Sequence, residues 1–81
     1  MHQEGSRTVA EQEDETDRAL LAVLLDDGSP MWSIEELVRF MGNRIDVADS
    51  LARLYRAGLL HRLEGFVFAS QVARRAAELI G

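Results

Sequence analysis

Residues 43–70, NRIDVADSLARLYRAGLLHRLEGFVFAS, constrain the fold more than any other stretch of this chain. Asn43 is a preferred N-cap, and Val47, Leu51 and Leu54 recur at i, i+4 and i+7, so the segment predicts a helix to about Ala57 with one apolar face. Asp46, three residues after the cap, is spaced to reach back toward it. Gly58 is the expected stop, because glycine takes the left-handed conformation at little cost. The period then changes from 3.6 to 2: Leu59, His61 and Leu63 alternate with Leu60 and Arg62, and Phe66, Val67 and Phe68 follow Glu64-Gly65. A minimal connection containing glycine between two such runs predicts a β-hairpin, with Phe66 and Phe68 on one face and expected to cover the core.

The flanking segments carry their own start and stop signals. Ser33 with Glu36 forms a capping box and Trp32 with Leu37 a hydrophobic staple, so a helix is expected over 34–41, with Leu37, Val38 and Phe40 or Met41 inward and Gly42 turning the chain. Met31 and Trp32 before it are read as a short strand. Thr8-Val9-Ala10-Glu11 also fits a capping box, but the dense charge and few apolar residues of 1–14 read as a flexible acidic arm. The first core helix is therefore expected over about 15–26, with Ala19, Leu20, Val23 and Leu24 as its stripe and DDGSP as its stop. Ser70 caps a last helix over 71–80, with Val72, Ala76, Leu79 and Ile80 on one side.

At 81 residues the chain holds one domain, expected over 15–81, and a core this small often leans on a second subunit. With no cysteine, disulfides, zinc ribbons and thiol nucleophiles are excluded. His2 and His61 stand in unrelated contexts, so no metal site is expected. Serines 29, 33, 50 and 70 have no base at motif spacing, and the six glycines form no phosphate-cradling loop, so neither an enzyme nor a cofactor is expected. No apolar run approaches the roughly 20 residues of a spanning helix, and the start of the chain is acidic where a secretion signal is basic, which points to the cytoplasm and no membrane partner.

The net charge of −5 is unevenly placed. Residues 1–17 hold six acids against one base, whereas from Arg39 onward seven arginines face four acids. The second half is thus mildly basic, and all its cations are arginine, the residue suited to bidentate phosphate and guanine contacts.

The string Val47…Leu51…Leu54…Ala57-Gly58-Leu59-Leu60…Arg62, with the order helix, helix-turn-helix, hairpin and helix over 15–81, resembles the winged helix-turn-helix domains of bacterial transcription regulators. The resemblance implies a mainly α fold with a small β-hairpin: a three-helix core, a wing and a C-terminal helix. It further implies a regulator that binds double-stranded DNA sequence-specifically, its third helix in the major groove and its wing on the backbone. Carried over, the groove-facing residues are Arg44, Asp46, Ala48, Asp49, Ala52 and Arg53, with Arg56 and Arg62 near phosphates.

Two features depart from that pattern. Asp46 and Asp49 bring carboxylates toward a polyanion, and the wing tip carries Glu64 and Phe66 where bases are expected. Asp46 is better explained as a cap partner, and Asp49 as an i,i+4 ion pair with Arg53. The alternative reading is a winged helix serving protein contacts without DNA. The last helix either closes the core against the first helix or pairs with its counterpart; a homodimer through the C-terminal and first helices is the expectation.

Overall fold

The computed structural model describes residues 8–26 and 31–80. Among them it forms α1 (Val9–Leu24), β1 (Trp32–Ser33), α2 (Ile34–Met41), α3 (Arg44–Arg56), β2 (Leu60–Leu63), β3 (Phe66–Ala69) and α4 (Gln71–Ile80). The fold is mainly helical with a small antiparallel sheet in the order β1-β3-β2.

Helix α1 starts at Val9, so residues 9–14, expected in a flexible arm, are helical. Thr8 and Glu11 close a complete capping box, with bonds of 2.9 and 3.1 Å, and Arg18 donates to Asp14 one turn away at 2.9 Å. Two reciprocal cap bonds, with the acid Glu11 at the positive end of the helix dipole, offset the sparse apolar content that argued for disorder. The rest of the proposed arm, residues 1–7, and most of the DDGSP stop lie outside the described residues. Leu20 and Leu24 are fully buried and Leu21 and Val23 partly so, while Ala19 faces solvent.

In α2, Ser33 and Glu36 form the second complete capping box, at 3.0 and 2.9 Å. Leu37 enters the core and Met41 packs at its edge. Phe40 turns outward, 64% exposed, and tilts against Trp32 with ring centroids 5.8 Å apart. The α3 cap is one-sided: the Asn43 side chain accepts from the Asp46 N–H at 3.0 Å. At the other end the Leu59 N–H reaches the Leu54 carbonyl at 2.9 Å and Gly58 sits at φ 77°, the left-handed closure that favours glycine.

Glu64 and Gly65 both have positive φ, 49° and 85°, matching the type I′ turn that suits the right-handed twist of two strands. Leu63 pairs with Phe66 beside the turn and Leu60 with Ala69 at the far end. The strand expected at Met31-Trp32 lies one residue later, where Trp32 opposes Val67 and Ser33 opposes Phe66 on the outer side of β3. That alternation sends Val67 and Ala69 into the core. Phe66 and Phe68 therefore take the other face, contrary to the expected covering role; Phe66 is 44% exposed, and Phe68 packs on His61.

The core joins Leu20, Leu24, Leu37, Val47, Leu51, Leu54, Leu60, Val67, Ala69 and Ala73. Helix α4 is tied on at its start: the Ser70 hydroxyl donates to the Gly58 carbonyl at 2.7 Å and accepts from the Ala73 N–H at 3.1 Å. Among the described residues no helix is long and apolar enough to cross a membrane.

Candidate functional site

Helix α3 buries Val47, Ser50, Leu51 and Leu54. The spacing i, i+3, i+4, i+7 is one continuous inner stripe, and Ser50 is its polar member. Arg44, Asp46, Ala48, Asp49 and Arg56 lie on the open side, Ala52 is half-buried, and Ile45 and Tyr55 complete the exposed surface at 72% and 52%. The helix thus presents most of the residues singled out from the sequence. Their charges, however, are engaged differently from what linear spacing suggests.

Arg53 does not pair with Asp49. Its guanidinium forks onto Asp17 of α1, Nη2 to Oδ1 at 2.8 Å and Nε to Oδ2 at 3.0 Å, and Nη1 lies 3.5 Å from Glu13. The buried Ser50 hydroxyl donates to the same Asp17 carboxylate. Ser50 and Arg53 are one turn apart on α3, so both reach a single acid on α1. The Arg53 and Asp17 side chains are only 25% and 21% exposed, and this bidentate, partly desolvated contact holds its groups far more firmly than a solvated pair. Burial opposes the charge of Asp17, but hydrogen bonds from Arg53 and Ser50, with the Arg53 charge, outweigh it and hold the carboxyl below its ordinary range. Hydrogen bonding to Asp17 likewise raises the Arg53 guanidinium, and Asp49 adds only a minor attraction.

Arg44 is engaged as well. Its Nη1 and Nη2 donate to the two carboxylate oxygens of Glu35 on α2 at 2.9 and 2.8 Å, a bond that lowers Glu35 and raises Arg44. Both side chains stay more than half exposed, so water and salt screen this bridge. Arg62 lies over the Tyr55 ring, 5.9 Å from its centroid, a cation–π placement that brings β2 beside the end of α3. Arg56 is exposed and, among the described residues, makes no ion pair.

The first half of α3 consequently offers Asp46 and Asp49 beside α1, where Glu13 and Arg53 share one shallow depression with them. Arg56 and Arg62, the two candidate site arginines that make no ion pair among the described residues, are displaced to the far end of α3 and onto β2. The arginines drawn together by sequence reasoning do not form one uninterrupted positive stripe.

Asp17 was missed as a partner, although a signal existed. It stands three residues before Leu20 and seven before Leu24, so it continues the buried face of α1. An acid on that stripe calls for a cation or hydroxyl opposite. Counting Asp17 with the acidic excess of residues 1–17, rather than with the apolar stripe of the first helix, hid that position. Compared with family models, with curated proteins and with solved structures, the chain matches none of them.

Proposed function

We propose that this chain is a winged-helix-type domain adapted to protein contacts, its α3 surface not shaped for gripping a nucleic-acid backbone. The order α1, short strand, α2, α3, hairpin agrees with the winged helix-turn-helix layout that the sequence resembles. The observation carrying the functional reading is the engagement of Arg53 by Asp17 and Glu13. Releasing that guanidinium toward a phosphate strands a half-buried carboxylate and a buried hydroxyl, a cost that the new contact must first overcome. What remains open on the leading half of α3 is an exposed Ile45 flanked by Asp46 and Asp49, a surface for an apolar and basic protein patch and repulsive to phosphates.

Duplex DNA is the second reading, favoured by Arg56 and Arg62 at the far end of α3. Titrating fluorescent random-sequence duplex with the protein at about 20 and 150 mM salt separates the two. The protein-contact reading expects no saturable binding at either salt; each phosphate neutralised by an arginine adds about 0.9 to the log–log salt slope. Binding with a slope of several, abolished by Arg56→Ala with Arg62→Ala, establishes the DNA reading instead. A converse variant checks the cause: replacing Asp46 and Asp49 together by Asn is expected to raise whatever affinity for duplex exists.

A further inference from the structure

The two outer edges of the sheet are finished differently. In the order β1-β3-β2, both β1 and β2 are edge strands. The Ile34 N–H bonds to the Gly65 carbonyl of the turn before β3, so Ser33, one residue earlier, directs its own N–H away from the sheet. That N–H is taken by the Glu36 carboxylate at 2.9 Å, and the α2 capping box thereby closes the β1 edge. On β2 the two-residue turn makes Leu63 and Phe66 a hydrogen-bonded pair. The Ser70 N–H on the Leu59 carbonyl, at 2.9 Å, keeps the same alternation at the far end. His61 and Leu63 therefore bond to β3, whereas Arg62 directs its N–H and carbonyl outward. Among the described residues neither group has a backbone partner. Leu60 shares that direction but is buried at the root of the hairpin, so the open length is short and centred on Arg62.

Side chains beside this edge are sorted by face. His61 and Leu63 share the outer face with Phe68 and Phe66; Leu63 is 56% exposed, and the His61 ring lies on Phe68 with centroids 5.5 Å apart. Arg62 takes the opposite face, its guanidinium over Tyr55, and makes no ion pair among the described residues. We propose that β2 takes up an extended segment of a different protein as the fourth strand of the sheet, a segment that reads apolar, acidic, apolar. Strand addition supplies the donor and acceptor that Arg62 lacks. Alternation places the residue opposite Arg62 on the Arg62 side, where a carboxylate meets the unpaired guanidinium. Its two neighbours fall on the other side, where apolar side chains cover Leu63 and Phe66. The same charge disfavours a second copy of this chain: antiparallel pairing of two β2 strands about Arg62 sets two guanidiniums opposite one another, the kind of edge charge that guards against self-association. With two backbone bonds and few side chains the contact is transient, and for an isolated peptide the dissociation constant is on the order of 1 mM. The inference is independent of what α3 binds.

Nuclear magnetic resonance on the isotope-labelled full chain tests it in two steps. Amide exchange of the free chain is expected to be fast at Arg62 and slow at His61 and Leu63; a protected Arg62 amide means a closed edge and overturns the proposal. The probe is then a capped pentapeptide, threonine-valine-glutamate-valine-threonine, titrated to about 10 mM. Saturable shifts are expected at the amides of residues 61–63 and at Phe66, with slower exchange at Arg62. Lysine in place of the peptide's glutamate weakens binding about fivefold, and Arg62→Glu reverses that preference. N-methylation of the glutamate abolishes binding, because its N–H is the donor to the Arg62 carbonyl. No saturable shift at Arg62, equal binding of the N-methylated peptide, or an unchanged preference in Arg62→Glu overturns the proposal. Each of these outcomes leaves the reading of α3 standing, since the duplex titration of the unaltered chain decides that separately.

Discussion

The α1–α3 contact and helix α4 invert the usual placement of side chains. Between α1 and α3 an acid, an arginine and a serine occupy a seam otherwise built from Leu20, Leu24, Val47, Leu51 and Leu54. On α4 two alanines face the body while Val72, Leu79 and Ile80 face water. The polar cluster lies inside because its members satisfy one another, which removes most of the desolvation cost of a lone charge. The apolar stripe lies outside because Ser70, anchored on the Gly58 carbonyl, sets the helix direction and leaves only its alanine side close to the core. Composition alone thus misplaces both regions.

The largest expected effect breaks the comparison at its core. Leu51→Ala removes a buried side chain between α1 and α3, and urea denaturation is expected to report a loss of about 2–4 kcal/mol. Leu79→Ala, the same chemical deletion on α4, is expected to change stability by no more than about 0.5 kcal/mol at concentrations where the chain is monomeric. Equal losses would show that α4 packs on its own body.

Next in size is the polar seam. Asp17→Asn keeps the shape but leaves Ser50 without an anion and Arg53 with only its longer contact to Glu13, and the expected cost at neutral pH is about 1–3 kcal/mol. The sign of its pH dependence follows from the lowered Asp17 value. A carboxylate held low in the folded state stabilises fully above its unfolded value of about 3.9, and that contribution disappears as pH falls through the folded value. The gap between wild type and Asp17→Asn in denaturation midpoint should therefore hold at pH 5–7 and close below about pH 4. A gap that is constant into strong acid rejects a charged Asp17 as the source.

The smallest effect belongs to the solvated bridge. Glu35→Gln frees Arg44 at the start of α3, and the melting temperature is expected to stay within error, because both partners are exposed. A clear drop would place this bridge beside the Asp17 contact rather than among screened surface pairs.

The legible part of the molecule follows local chemistry. Helices α2 and α3, the hairpin and α4 start and stop where Ser33, Asn43, Gly58, Glu64-Gly65 and Ser70 direct them, because a cap bond or a left-handed turn involves only residues a few positions apart. The α1 boundary misleads because its capping box at Thr8 competes with an acidic composition that suggests disorder, and the reciprocal cap bonds prevail. For the candidate site the exposed positions of α3 were readable from its period. The partners of Arg53 and Arg44 were not, since they lie 36 and 9 residues away.

By itself the sequence determined the number and order of the described helices and the hairpin, where most of them begin and end, and which face of α3 is inward. These depend on capping, periodicity and turn conformation, all short in range. Only the tertiary structure decided that Arg53 belongs to Asp17, that Phe66 and Phe68 turn away from the core, and that α4 displays its leucine and isoleucine. Strand register and the direction in which an anchored helix leaves the body are set by long-range packing, which no local pattern encodes.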